Sequence, residues 1–251
     1  MTNKLYKKKL FAKKKIINGW IHIDSISSTK IITSKSFNSL TVDLQHGMLN
    51  FETCKDIIQI IAMHSIFPIV RVPSNEIGII NKCLDAGAMG IICPLINNKQ
   101  DSIKFTNSCY YPLKGIRSFG PTIASIGDKK YFEKSNSEIF TGAMIETKES
   151  VVNLNEILEN KNLDLVYIGP YDLSISYGVN PNKVFDTKEM INLYLHILKL
   201  AKLKKKKVAI HCSGADTASF FLKKGFDMVT VSTDLNLLSK AITEELEKLK
   251  L

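Results

Sequence analysis

The sequence predicts an α/β fold, a single (β/α)8 TIM barrel, from three observations. About eight short apolar runs alternate with amphipathic segments, a pattern typical of parallel strands joined by helices. A length of 251 residues with an apolar fraction of 45% suits one barrel. No glycine-rich motif follows the first run, which argues against a doubly wound open sheet. We therefore predict one domain over residues 1–251.

The predicted strands are short runs that end in polar residues or turns. They are GWIHID near 19–24, SLTVDL near 39–44, FPIVRV near 67–72, MGIIC near 89–93, GAMIET near 142–147, DLVYIG near 164–169, VAIHC near 208–212 and MVTVS near 228–232. Helical periodicity is seen at 52–64, 75–86, 150–160, 187–205 and 233–249. The segment 110–140 is too long for an ordinary connection, and long ordered loops are often functional.

Composition excludes several classes of protein. The net charge of +10 comes almost entirely from lysine, and no aromatic-interleaved basic stripe accompanies it, so we expect no nucleic-acid partner. The five cysteines form no CxxC pair, which predicts neither a zinc site nor a disulfide set and fits a reducing compartment. No run of about 20 apolar residues and no secretory signal is present. We expect a cytoplasmic protein without a membrane partner.

Two arginines stand out in this lysine-rich chain. Every basic side chain other than Arg71 and Arg117 is a lysine. An arginine retained against this bias indicates a need for the planar guanidinium fork, which lysine does not supply. The alternative is that each arginine packs against a carboxylate for structural reasons.

Polar residues cluster where the predicted strands end. Chemistry in barrels of this type takes place at the carboxyl ends of the strands, so these residues are the candidates for a site. They are Asp43 and His46 after the second strand, Arg71 on the third, Glu146 on the fifth and Asp172 just past the sixth.

The two later carboxylates could hold a metal ion. Glu146 and Asp172 follow neighbouring strands, and a pair of carboxylates suits a hard divalent cation such as Mg²⁺ or Mn²⁺. Both residues could instead cap the helices that follow them. His46 is also ambiguous: its position in the DLQHG turn and its titration range favour proton transfer, but a lone histidine is more often structural.

The remaining histidines and one cysteine are weaker candidates. His211 and Cys212 end the seventh strand and are interpreted as lining a pocket. His22, His64 and His196 are interpreted as ordinary strand or helix residues.

Over almost its whole length the chain resembles the HpcH/HpaI family of metal-dependent 2-oxo acid aldolases. The resemblance rests on VDLQHG, PIVRVP, LDAGAMGIICP, YYPLKGIRSFGP, AMIET with NLNEIL, and IGPYDLSISYG, in the family's order. The family that the chain resembles includes 4-hydroxy-2-oxoheptanedioate aldolase and 2-keto-3-deoxy sugar acid aldolases. It implies a TIM barrel of the phosphoenolpyruvate/pyruvate-binding type.

The resemblance also implies roles for particular residues. Glu146 and Asp172 would hold a divalent cation, Mg²⁺ or Mn²⁺ with Co²⁺ as a further candidate, which pyruvate chelates. His46 would be the catalytic base, and Arg71 would stabilise the oxygen that becomes an enolate. Asp85 would hold the histidine and raise its basicity, although it could instead be a helix-terminus residue.

Departures from the family pattern mark the substrate-binding positions. Met144 stands where many members carry a Gln that contacts substrate, and Gln45 and Tyr171 replace a Glu and a small residue. We expect the substrate carboxylate to meet backbone N–H groups over 169–172, from Gly169 to Asp172. We expect the aldehyde toward the long segment, where Arg117 would contact an acidic substituent or anchor the loop.

The sequence thus predicts a carbon–carbon lyase that cleaves a 4-hydroxy-2-oxo acid to pyruvate and an aldehyde. A CoA-ester lyase of the citrate or malyl-CoA type and an inactive binding barrel are the alternatives. The resemblance also implies a homo-oligomer, a hexamer in which the last helix packs on a neighbouring subunit. The aldehyde, the stereochemistry, the direction and the metal stay open.

Overall fold

Eight parallel strands close into one barrel. A computed structural model describes residues 7–249, and residues 1–6 and 250–251 of the predicted domain lie outside the described residues. The strands pair in sequence order, and the last pairs with the first. They are β1 Ile16–Ile21, β2 Ser39–Asp43, β3 Phe67–Arg71, β4 Gly90–Cys93, β5 Phe140–Ile145, β6 Leu165–Ile168, β7 Lys207–His211 and β8 Met228–Thr233.

Helices cover the outside of the barrel. They are α1 Lys7–Phe11, α2 Ile26–Thr33, α3 Phe51–Met63, α4 Ile77–Asp85, α5 Lys99–Cys109, α6 Tyr131–Glu138, α7 Lys148–Val152, α8 Leu154–Leu158, α9 Pro170–Ser176, α10 Lys188–Leu203, α11 Ala215–Lys224 and α12 Asp234–Glu247. A short 3-10 helix spans Pro181–Lys183. The predicted helix at 150–160 is two helices, because the chain leaves helical geometry at Asn153. Across residues 7–249 no helix has both the length and the apolar character needed to cross a bilayer.

Side chains alternate between the interior of the barrel and the helical layer. Phe67 and Ile69 of β3 belong to the inner cluster, whereas Val70, the residue after Ile69, packs in the outer one. The same period of two places Phe140 and Tyr167 inside the barrel. This alternation determines which polar residues reach the C-terminal mouth, the opening of the barrel at the carboxyl ends of the strands.

The N-terminal end of the barrel is closed. Leu10 of α1 is buried in the inner cluster, and the ring of Phe11 meets that of Phe140 edge-on at 5.5 Å. Above them Asn18 forms a buried polar layer, donating to the hydroxyls of Thr41 at 3.1 Å and Thr230 at 2.8 Å. Among residues 7–249 the C-terminal mouth is therefore the open end of the barrel for a small molecule.

The long segment between α5 and β5 lies at the closed end. The backbone N–H groups of Ile123 and Ala124 donate to the carbonyl of Asp85, the last residue of α4. Helix α4 runs back from the C-terminal end of β3, so Asp85 lies at the N-terminal end of the barrel. The expectation that this segment borders the aldehyde is therefore wrong within a single chain.

Candidate functional site

Strand alternation brings the predicted polar residues to one place. Asp43 and Arg71 end β2 and β3 in the inward register, and they pair with each other across the sheet. Glu146 follows β5 in the same inward register as Met144. These side chains therefore meet at the C-terminal mouth, as the strand-end argument predicts.

Arg71 is clamped by a buried carboxylate. Its Nε donates to Oδ1 of Asp43 at 2.8 Å and its Nη2 to Oδ2 at 2.5 Å, and the guanidinium lies 5.0 Å from the ring centroid of Trp20. Burial alone would raise the pKa of Asp43, but hydrogen bonds from His22 and Arg71 hold it well below its usual range. One edge of the guanidinium is thus fixed, and the N–H groups of Nη1 are left for a ligand.

Replacing Arg71 with Lys should lower kcat/KM about a hundredfold. The three donors of a lysine ammonium sit on one nitrogen, so they do not reproduce the planar fork that binds both Asp43 oxygens through Nε and Nη2 and directs Nη1 elsewhere. Losing one well-placed donor typically costs this much. Steady-state kinetics at saturating metal would measure the effect. A variant with unchanged kcat/KM would remove Arg71 from the chemistry.

The same carboxylate builds the turn that carries His46. Oδ1 of Asp43 accepts from the backbone N–H groups of Gln45 at 3.0 Å and His46 at 3.2 Å. A Cβ at Gly47 would lie 2.2 Å from the carbonyl oxygen of Asp43, so only glycine fits there. The turn leaves the His46 side chain exposed at the mouth. The DxxHG spacing thus couples the position of His46 to that of Arg71.

Glu146 is a buried carboxylate held by a strained backbone. Its Oε1 accepts from the N–H of Leu95 at 2.7 Å, and Leu95 has a left-handed conformation with φ of 53°. Burial, together with the charge of Asp172, raises the pKa of Glu146 to about 7, although the Leu95 N–H and Arg71 oppose the rise. Thr147, not Glu146, caps α7. The helix-capping alternative is therefore wrong for Glu146.

Asp172 is exposed in the first turn of α9 and makes no side-chain hydrogen bond to that helix. Its place in the first turn still favours the helix through the helix dipole, so the helix-start alternative stays open for Asp172. The N–H of Gly169 donates to the carbonyl of Ile145 at 3.3 Å and Pro170 has no N–H, so of residues 169–172 only Tyr171 and Asp172 have backbone donors left. The expected backbone donors of this stretch are therefore those of Tyr171 and Asp172.

The two carboxylates fit a divalent cation that keeps open positions. A Cβ at Gly169 would lie 2.7 Å from Oε2 of Glu146, so glycine leaves the space beside the free carboxylate oxygen open. Among residues 7–249 no cluster of three or more His, Cys, Asp or Glu could hold a metal. Glu146 and Asp172 alone therefore leave most coordination positions to water and ligand oxygens, as Mg²⁺ prefers.

Asp85 and Arg117 lie together, far from His46. Nη2 of Arg117 donates to Oδ1 of Asp85 at 2.6 Å and to the hydroxyl of Tyr131 at 3.1 Å, and the guanidinium stacks 4.4 Å from the ring centroid of Tyr111. Arg117 therefore anchors the long segment. Asp85 makes no hydrogen bond to His46 of the same chain, because the two residues lie at opposite ends of the barrel.

The mouth also contains Trp20 and His22, which the sequence analysis did not select, beside His211, Met144 and Tyr171, which it did. Nε2 of His22 contacts Oδ2 of Asp43 at 2.6 Å, and the rings of Trp20 and His211 meet edge-on at 5.0 Å. His22 lies two residues after the inward-facing Trp20, so the alternation of side chains along the strand would have identified it. Met144 is buried just inside the mouth and offers no strong hydrogen-bond donor, and the ring of Tyr171 lies 6.5 Å from that of His211.

A closed (β/α)8 barrel with paired carboxylates and a clamped arginine at its mouth has the architecture of a barrel enzyme. The chain belongs to the HpcH/HpaI aldolase/citrate lyase family, whose model matches residues 18–241. It is 32% identical over 224 residues to the hydroxypyruvate/pyruvate aldolase of Rhizorhabdus wittichii, covering 89% of each chain. It is 28% identical to the 4-hydroxy-2-oxo-heptane-1,7-dioate aldolase of Shigella flexneri, covering 94% of this chain and 89% of the relative.

The solved structures agree on the fold. A HpcH/HpaI aldolase/citrate lyase family protein from Burkholderia cenocepacia J2315 superimposes with a TM-score of 0.90 at 21% identity, covering 98% of both chains. The predicted family and barrel are confirmed. The predicted enzyme class, a carbon–carbon lyase of the aldolase type, is confirmed by the relatives, both of which are named aldolases.

Proposed function

We propose that this protein reversibly cleaves a 4-hydroxy-2-oxo acid to pyruvate, or to a hydroxylated pyruvate, and an aldehyde. The observation that carries the proposal is the clamped guanidinium of Arg71, whose positive charge acts on Glu146 and partly opposes the burial that raises the pKa of that carboxyl. A fixed positive charge next to a cation-binding carboxylate stabilises an oxygen that becomes negative as a carbon–carbon bond breaks.

A divalent cation on Glu146 and Asp172, Mg²⁺ or Mn²⁺ with Co²⁺ as a further candidate, would act as a Lewis acid on the keto oxygen of the substrate. Arg71 adds positive charge beside that oxygen through Nη1. His46 removes the proton from the C4 hydroxyl in cleavage and returns it in synthesis. Met144 and Tyr171 bound the substrate, and the N–H groups of Tyr171 and Asp172 face its carboxylate.

Asp85 enters this scheme only if two chains share a site. Within one chain its carboxylate binds Arg117 at the closed end of the barrel. Its side chain is 21% exposed, so one side of the carboxylate is open to a neighbour. We propose that Asp85 of one copy approaches His46 of another and orients it.

A complementation experiment tests this arrangement. Chains carrying His46→Ala and chains carrying Asp85→Asn should each be nearly inactive, whereas co-expressed mixtures should regain a substantial part of wild-type turnover. Mixed assemblies would contain sites with both native residues. The readout is turnover of co-purified, differently tagged chains. A mixture no more active than the two parents would place Asp85 outside the site.

Helix α12 supplies a surface for assembly. It leaves the barrel with only Asp234 buried, and one face presents a row of exposed apolar side chains. With exposures between 40% and 62%, they are Leu235, Leu238, Ile242 and Leu246. Such a row is typical of a helix that packs on a partner. We propose that the partner is a second copy in a homo-oligomer, with a hexamer as the expected size.

Placing Glu at Leu238 and Ile242 together should dissociate this assembly, because two charges would be desolvated in an apolar contact. Light scattering after size-exclusion chromatography would report the mass. Lys240→Glu, on the opposite face, is the matched control and should leave the mass unchanged. An undiminished mass in the double variant would exclude α12 from the interface.

The decisive assay is pyruvate release from a panel of 4-hydroxy-2-oxo acids, coupled to lactate dehydrogenase. Activity should vanish after chelation and return with Mn²⁺ or Mg²⁺. If no 4-hydroxy-2-oxo acid releases pyruvate but a CoA ester is turned over, the protein would instead be a lyase of the citrate or malyl-CoA type. Activity with neither class of substrate would indicate a binding barrel.

We also propose a cytoplasmic location, because all five cysteines are free and buried.

A further inference from the structure

His211 points into the mouth with one ring nitrogen unused. It ends β7 in the same inward register as Ala209, a member of the inner cluster. Its ring lies 5.0 Å from that of Trp20 and 6.5 Å from that of Tyr171. The residue is partly exposed, at the end of a strand that leads to the mouth.

A hydrogen-bond chain fixes the tautomer of this histidine. The hydroxyl of Tyr167 donates its single proton to Oγ1 of Thr230 at 2.7 Å. With its proton directed at Thr230, the same hydroxyl, 3.1 Å from Nδ1 of His211, accepts there, and this arrangement assigns the proton to Nδ1. Nε2 therefore holds a lone pair, and it has no hydrogen-bond partner among residues 7–249.

The surroundings keep the ring neutral. Burial, together with the nearby charges of Arg71 and His22, lowers the pKa of His211 to about 3. A neutral acceptor does not attract a carboxylate, which has only acceptors of its own. The group that Nε2 can bind is a neutral donor, and in this class of substrates that donor is a hydroxyl.

We propose that Nε2 of His211 accepts a hydrogen bond from a substrate hydroxyl and so selects hydroxylated substrates over their deoxy analogues. The inference rests on the proposed aldol chemistry and extends it to the substrate class. The hydroxyl has two possible sources, C3 of the 2-oxo acid donor or the carbon next to the aldehyde. A site with an unpaired acceptor discriminates against the analogue that lacks the hydroxyl.

Synthesis with matched substrates distinguishes these sources. Pyruvate and hydroxypyruvate are compared as donors, and acetaldehyde and glycolaldehyde as acceptors, with kcat/KM measured for each of the four pairs. The wild type should favour the hydroxylated member in one of the two comparisons. His211→Phe should reduce that preference about tenfold, the usual size of one neutral hydrogen bond. His211→Gln, which retains an acceptor, should keep much of it, and His196→Phe on the exposed face of α10 should change nothing.

The outcomes separate this inference from the proposed function. A wild type that is inactive with all four pairs overturns both. If His211→Phe is active and its preference for the hydroxylated substrate is unchanged, the role of His211 alone is overturned. An equal loss of kcat/KM with all four substrate pairs has the same meaning. Should His211→Phe fail to fold by circular dichroism, Tyr167→Phe carries the test. That variant leaves Nδ1 without its acceptor, frees the tautomer and should lower the preference severalfold.

Discussion

Replacing Glu146 with Gln should abolish tight metal binding and reduce kcat/KM about a thousandfold. Glu146 is one of the two carboxylates that we propose hold the cation, and a bound metal contributes several kcal/mol to stabilising the charge that develops in the reaction. The amide keeps the size of the side chain but removes its charge. Metal titration by calorimetry and steady-state kinetics would measure the two effects.

Glu149→Gln is the matched control, because Glu149 lies three residues further along, exposed in the first turn of α7. It should bind metal and turn over normally. Equal metal affinity in wild type and Glu146→Gln would remove Glu146 from the site and leave Asp172 without its proposed partner.

Glu146 also gives the metal-free protein a distinct pH dependence. Its pKa is raised from 4.5 to about 7 in the folded chain, so between these values the folded protein holds a proton that the unfolded chain has released. Stability from this group is present below pH 4.5 and is lost as pH rises toward 7. The Tm of metal-free wild type should therefore fall relative to Glu146→Gln over this range, and added Mn²⁺ should reverse the difference.

The fold and most of the site could be predicted because both depend on local periodicity. Every second side chain of a strand faces the barrel interior, and the sites of such barrels lie at the carboxyl ends of the strands. These two rules are enough to bring Asp43, Arg71 and Glu146 together. The Gly47 turn follows from the same stretch of sequence. These features require no knowledge of distant contacts.

What the sequence did not predict depends on contacts between distant segments. The pairing of Asp85 with Arg117 joins residues 32 apart, and only the path of α4 shows that both lie at the closed end. His211 acquires its tautomer from Tyr167, a neighbour 44 residues away. The role of the long segment was misjudged because its length indicates order or function but not which end of the barrel it covers.

Replacing His46 with Ala should lower kcat about a thousandfold, a typical loss for a general base. KM and metal affinity should change little, because the side chain is exposed and its backbone, not its ring, is tied to Asp43. The exposed position also predicts partial rescue by imidazole added to the buffer. His64→Ala, exposed at the end of α3, is the control and should be fully active. Unchanged kcat in His46→Ala would assign the proton transfer elsewhere, and His22, hydrogen-bonded to Asp43 at 2.6 Å, would be the next residue to test.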